Sequence, residues 1–186
     1  MRELSTQVDR LIRLSNALLF LSRSDQNQIS MNRSRVNVKE LLEVLLEQIQ
    51  PLAIEKEIQV ITDIQNDLFC IGDNDHLIRL FMNLLENALK YTPAHGQISV
   101  TGKKDSTHLV VDIHNTGSVI PDGHLPRLFE RFYRVDSDRS SQTGGSGLGL
   151  AIAQEIAHLH SGEITVKIDT IEGVTFSVHL PLADNS

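Results

Sequence analysis

The chain has 186 residues, 40% of them hydrophobic, enough for one ordinary domain with a core plus a short appendage, and wholesale disorder is excluded. The formal net charge of -7 excludes a nonspecific nucleic-acid binder, which needs clustered Lys and Arg to displace counterions, but leaves room for a local cationic pocket for phosphate. The single cysteine, Cys70, cannot form an internal disulfide, and no apolar run approaches the ~20 residues that cross a bilayer. A reducing, cytosolic setting without membrane contact is therefore expected, any membrane segment of a longer parent lying upstream.

In chain order, residues 1–22 carry Leu4, Val8, Leu11, Leu18 and Leu21 close to a heptad seam, with Ser15 as its weak link and a polar opposite face. A stripe this narrow predicts a helix packed against another helix; the competing reading is a surface helix on the domain that follows. Residues 23–36 are polar and aperiodic and read as a linker with room for one short extended stretch. Asn37, with Glu40 three residues later, predicts an N-cap for a helix through LLEVLLEQI, which Pro51 should kink or interrupt, the helix resuming over 52–56. Strands are expected at 57–64 and 68–72. Asp73 should cap a helix over about 75–91, closed by Pro93 and Gly96.

Residues 97–102 and 108–114 read as paired strands, followed by a helical turn within HLPRLFERF. The stretch 136–147 is polar and glycine-bearing and is expected to be mobile until a ligand orders it. A helix over about 148–160 and a hairpin of 163–169 with 174–180, turning at Glu172 and Gly173, complete the chain. The pattern predicts an α+β fold, a two-layer sandwich. One mixed, mostly antiparallel sheet is covered by helices on one face, with a coiled-coil-like helix at the N-terminus.

Three segments carry chemistry. On the helix after Asp73, Asn83, Asn87 and Lys90 or Tyr91 recur at helical spacing, while Leu80, Leu84 and Leu85 can face the core. Two amides and a cation on one face suit a hydrated divalent cation and phosphate oxygens; an ordinary solvated face is the alternative. TGGSGLGL (143–150) runs into a helix. Glycines let a backbone approach a ligand closely, and a helix N-terminus offers free N–H groups to phosphate; a plain flexible linker is the alternative. No Lys-Ser/Thr follows the last glycine, so this is not a Walker loop, and the context does not fit a dinucleotide fold. In FERFYR (129–134), Phe129 and Phe132 can anchor a lid while Arg131 reaches a polyphosphate.

NLLENALKYT resembles the asparagine box of histidine kinases, FERFYR their phenylalanine box, GGSGLGLAIAQEIAHLHSG their second glycine box and EGVTFSVHLP their closing glycine-containing strand. Order and separations also match, over about residues 35–182, and residues 1–24 look like the second helix of the family's dimerisation domain. The resemblance implies a catalytic ATP-binding domain of Bergerat-type fold over 37–182, a linker over 25–36 and a partial dimerisation domain over 1–24. By that likeness Asn83 and Asn87 flank a Mg2+ ion and the phosphates, with Asn87 the direct metal ligand. Lys90 touches phosphate and Tyr91 lines the nucleotide. Arg131 and Arg134 meet the polyphosphate, and Asn83, Lys90 and Arg131 serve catalysis. Gly145, Gly147, Leu148 and Gly149 shape the lid and phosphate loop, and Thr175 sits near the base.

The first glycine box departs from the family's Asp-x-Gly-x-Gly. Asn115 stands where the aspartate would accept from the adenine amine, Gly117 is kept, and Val119 replaces the second glycine. None of the eight histidines lies in the N-terminal helix, so the phosphoacceptor is expected on a first dimerisation helix before Met1. The implied activity is transfer of the ATP γ-phosphoryl to that histidine, for relay to an aspartate of a response regulator receiver domain. The implied partners are the protein's own dimerisation domain, its homodimer copy and that receiver. Two competing functions are a hydrolytic ATPase machine, disfavoured because an amide at Asn83 cannot activate water, and a non-enzymatic interaction module, motivated by Asn115 and Val119.

Overall fold

The computed structural model describes residues 2–117, 120–135, 146–169 and 173–183. It opens with helix α1 (Arg2–Asp25), followed by strand β1 (Arg33–Asn37), helix α2 (Val38–Glu55), strand β2 (Gln59–Ile64), strand β3 (Phe69–Asp73) and helix α3 (Asn74–Tyr91). Strands β4 (Gln97–Lys104) and β5 (His108–Asn115), a 3-10 turn (Asp122–Arg127), helix α4 (Gly149–Leu159) and strands β6 (Glu163–Asp169) and β7 (Gly173–Pro181) follow. The expected fold class holds. A five-stranded sheet runs β2-β4-β5-β7-β6, parallel between β2 and β4 and antiparallel elsewhere.

Strand alternation sorts the sheet's two faces. Ile98, Val100, Leu109, Val111, Ile113, Val174, Phe176 and Val178 are buried against Leu42 and Leu45 of α2, Phe81, Leu84 and Leu85 of α3, and Ile152 and Ile156 of α4. The opposite face is polar, with Ser99, Thr101, Asp112, His114, Thr175 and Ser177 half-buried. Cys70 lies in the core, where burial pushes its thiol up to about 11, so it is an inert side chain.

Three expectations change. The sheet is not alone: β1 and β3 form a separate antiparallel ribbon, β1 being the short extended stretch for which the linker had room. Its pairing is backbone-driven, with only Val36 buried. Pro51 does not interrupt α2, which runs on to Glu55. The N–H it lacks would have bonded the carbonyl of Glu47, which is exposed and open to water, so the loss is tolerated there. Finally, Leu21 does not join a seam. Ala17, Phe20, Leu21 and Ser24, spaced three and four apart, form a buried stripe that seats the last two turns of α1 on the domain, while Val8, Leu11 and Leu18 remain exposed.

Both sequence caps form. The Asn37 side chain accepts from the Glu40 N–H and donates to the Glu40 carboxylate at 2.8 Å. Asp73 does more. One carboxylate oxygen accepts from the His76 N–H at 3.1 Å, capping α3, and the other accepts from the Asn32 N–H at 2.8 Å. The Asp73 N–H donates to Nε2 of the buried His160 at 3.0 Å, and His160 Nδ1 lies 2.7 Å from the Ile156 carbonyl. These partners fix the neutral tautomer with the proton on Nδ1. Gly72 leaves room for the ring, since a Cβ there would sit 2.6 Å from it.

The two side chains give a pH signature. Burial pushes the His160 imidazole below its ordinary 6.5, so the unfolded chain takes up a proton that the folded one refuses, and stability falls as pH drops below 6.5. For Asp73, burial works upward, but the N–H groups of Asn32 and His76 outweigh it and hold the carboxyl below its ordinary 3.8. Its contribution is present above that value and lost as pH falls through the lower folded one. Denaturant unfolding of wild type, His160→Gln and Asp73→Asn at stepped pH should show this. His160→Gln removes a decline below pH 6.5 of up to about 1.4 kcal/mol per pH unit, and Asp73→Asn removes only the part below about pH 4.

Candidate functional site

The amides expected on one helix face are there. Asn83, Asn87 and Lys90 are half-buried on α3, whose Leu80, Leu84 and Leu85 fill the core. Asn83 lies against the first residue of α4: a Cβ on Gly149 would come 3.3 Å from its Oδ1. Its Nδ2 is buried and has no hydrogen-bond partner among the described residues. Folded proteins pair nearly all such groups, and leaving one unpaired costs about 1–3 kcal/mol. Lys90 Nζ rests 4.9 Å over the ring of Tyr91, itself about half exposed.

The start of β4 is pinned to the end of β5. Thr116 accepts from the Gln97 N–H through its side chain at 2.9 Å and donates its own N–H to the Gln97 carbonyl at 3.0 Å. Gly117 has a φ of +83°, and a Cβ on it would lie 2.5 Å from Pro93 Cδ. That contact brings the loop after β5 onto the loop after α3. Asn115, buried, closes β5 beside it; its Nδ2 donates to the Thr116 carbonyl at 3.5 Å. Asn115 is paired in register with Val174 and therefore shares the helix-facing side of the sheet with it.

Thr175 does not reach that side. It points to the polar face, where its hydroxyl lies 3.0 Å from His114 Nδ1, because β7 alternates and Val174 takes the inward position. Placing Thr175 near a base held at Asn115 is thus corrected: Val174 is the β7 residue beside Asn115.

The FERFYR segment also differs from expectation. Leu128 is buried, and Phe129 packs edge-on against Phe176 at 6.4 Å, so one aromatic does anchor it. Phe132 does not: it is 55% exposed, with a φ of +64°. Its role is in the backbone, where its N–H donates to the Gly147 carbonyl at 2.9 Å. Arg131, expected on a polyphosphate, instead makes a two-pronged ion pair with Asp25 at the end of α1, at 2.7 and 2.6 Å. The guanidinium holds the Asp25 carboxyl below its ordinary range. Sequence reasoning missed Asp25, because nothing local marks it. Arg134 is half-buried. Gly147 has a φ of +71°, Leu148 is fully buried, and Gly149 opens α4. Gly145 and Val119 lie outside the described residues, as does most of the stretch 136–147.

The site thus combines an unpaired amide donor, a second amide, a lysine and a helix start preceded by glycine. All are donors or hard oxygen ligands, which suit a phosphate and a divalent cation. Among the described residues, no three His, Cys, Asp or Glu side chains converge into a metal cage, and no helix is long and apolar enough to cross a membrane.

The chain is similar to known proteins. Residues 72–184 match the family model described as histidine kinase-, DNA gyrase B-, and HSP90-like ATPase. The sensor histidine kinase RppB of Synechocystis sp. is 36% identical over 174 residues, 93% of this chain and 38% of RppB. The probable sensor protein PcoS of Escherichia coli is 38% identical over 174 residues, 94% of this chain and 37% of PcoS. The chain thus spans less than two-fifths of these relatives' length. Among solved structures, full-length ShkA in complex with AMPPNP superposes with a TM-score of 0.83 at 25% identity, covering 96% of this chain and 37% of ShkA.

The loop geometry can be tested by stability alone. A Cβ on Gly147 would lie 2.8 Å from the Phe132 backbone, whereas one on Gly123 would meet nothing within 4 Å. Gly147→Ala should lose about 1–2 kcal/mol from the left-handed conformation alone, and more from the clash. Gly123→Ala should stay within about 0.5 kcal/mol of wild type. Equal denaturation midpoints for the two variants would contradict the described loop.

Proposed function

Because the chain belongs to the family of histidine kinase-, DNA gyrase B- and HSP90-like ATPases, we propose that it is the ATP-binding catalytic part of a sensor histidine kinase. It transfers the γ-phosphoryl group of ATP to a histidine. No histidine lies on α1, so the acceptor is carried by another dimerisation helix. A P–N bond forms at the imidazole as the bond from the γ-phosphorus to its bridging oxygen breaks. ADP leaves with that electron pair, and the phosphohistidine then serves a response regulator aspartate.

The observation that carries this reading is the buried, unpaired Asn83 Nδ2 beside the start of α4. An amide N–H there calls for an acceptor, and a phosphate oxygen is one. Lys90 adds charge from the same helix face, and the α4 N-terminus adds backbone donors. Asn87 offers an amide oxygen to a Mg2+ ion, whose other ligands would be phosphate oxygens and water; the ion would neutralise phosphate charge. An amide at position 83 is no general base, so water is not activated and phosphoryl transfer is favoured over hydrolysis. The exposed apolar side chains Val8, Leu11 and Leu18 on α1 suit packing with the remaining dimerisation helices and a second copy of the chain.

Calorimetric titration with ATP, with and without Mg2+, tests the site. Asn87→Ala and Asn83→Ala should each weaken Mg-ATP binding by roughly 10- to 100-fold, the worth of a bond to a charged group. An Asn87→Ala protein that binds like wild type would overturn the assignment. Acid-labile label from γ-labelled ATP should appear on an added complete dimerisation domain and on none of this chain's own histidines.

Asn115 generates a second expectation. An aspartate offers only acceptors and repels the guanine carbonyl, whereas an asparagine amide can present either its oxygen to adenine or its nitrogen to guanine. Asn115→Asp should therefore raise the ratio of ATP to GTP affinity, by about 1–3 kcal/mol for one mismatched buried pair. A wild type as selective as the variant would show that Asn115 does not read the base.

A further inference from the structure

The contact between Arg131 and Asp25 joins residues 106 apart in sequence and lies where α1, the 129–133 segment and α4 meet. Beside it, Ser24 Oγ donates to Glu155 of α4 at 2.5 Å. Beyond this last turn, α1 is held by Phe20, which sits between the Arg79 guanidinium, 4.5 Å from its ring centre, and the His76 ring at 5.6 Å. The Arg131 and Asp25 side chains are 41% and 53% exposed, so an anion in solution can reach the guanidinium.

Arg131 is also linked through the backbone to the start of α4. The next residue, Phe132, is bonded to Gly147, and Gly147 leads through Leu148 to Gly149 against Asn83. A single carboxylate therefore occupies an arginine of the segment bonded to the residues that open α4. A polyphosphate carries several charges and matches the same fork geometry, so it can take the guanidinium from one carboxylate.

We propose that Asp25 and Arg131 form a latch which the phosphates of a bound nucleotide open, loosening the end of α1 from the catalytic domain. The latch rests on the reading of the site as a nucleotide site. It is reciprocal: what nucleotide does to the pair, the pair does to nucleotide affinity. The empty protein holds α1 close, and the filled one releases it to move against the domain.

The test uses the 186-residue chain and Mg-AMPPNP. Calorimetry compares wild type, Asp25→Asn and Asp25→Glu. Spin labels on Gln7→Cys and Gln48→Cys, both exposed positions on α1 and α2, report the separation of helix and domain; the buried Cys70 does not compete for label. Asp25→Asn should bind about two- to fivefold tighter, the worth of an exposed ion pair, and Asp25→Glu should fall back toward wild type. The label distances of wild type should shift on adding nucleotide, and those of Asp25→Asn should already lie near the shifted values without it. Equal affinities for wild type and Asp25→Asn, or distances that nucleotide leaves unchanged, overturn the latch while leaving the site intact. No binding by any of the three proteins overturns the site and the latch with it.

Discussion

The structure hangs on the hydrogen-bonded node at Asp73. Its carboxylate caps α3 and takes the Asn32 N–H, and its own N–H is held by His160, the residue that ends α4. One residue thus fixes the β3 strand, the start of one helix and the end of another. Helices α3 and α4 carry the two halves of the candidate site. With one end of each tied to the same point, and Leu80, Leu84, Ile152 and Ile156 packed in the core they share, Asn83 comes to rest against Gly149. The alignment of an amide face with a glycine-led helix start is therefore set far from the site itself, by a buried imidazole that must stay neutral.

Charge and polarity are spent unevenly across the molecule. The sheet keeps its polar side chains on the face away from the helices, where Thr175 meets His114 and Lys103 lies 3.6 Å from Asp112. On the helix-facing side polar groups are few, and those present are paired or belong to the site. Among the described residues the Nδ1 of His76 and the Nδ2 of Asn83 are buried without a hydrogen-bond partner, and Asn83 is the one at the site. A protein that keeps such a cost has a use for it, and an anionic ligand is what the surrounding donors suit.

The junction of α1 with the domain is of a different kind. It is small: one apolar stripe of two turns, one aromatic against an arginine and an imidazole, and two polar contacts at the helix end. Interfaces of this size favour relative motion over rigid attachment. An arginine from the segment beside the glycine loop contributes to it directly. In the proposed latch, attachment of the helix and occupation of the site draw on one side chain.

Much of this was legible in the sequence, and for local reasons. The caps at Asn37 and Asp73, the apolar period of α3, the alternation of β4, β5 and β7, and the glycine run before α4 are written in adjacent residues, because capping, periodicity and left-handed turns are local physics. Asn83, Asn87 and Lys90 followed from spacing on one helix. What the sequence could not supply was long-range. Thr175 was placed near the base by motif position, but its direction depends on the register of β7 with β5, which no local pattern states. The partner of β1 was hidden because its bonds are made by backbone to a strand 32 to 40 residues on. Phe132 has the composition of an anchor, yet a positive φ turns it outward. Arg131 has the residue type for phosphate, yet folding brings a carboxylate from the far end of the chain to within 2.7 Å of it. Residue type decided what chemistry each side chain could do; only the tertiary structure decided which partner it found, because partners distant in sequence are chosen by packing.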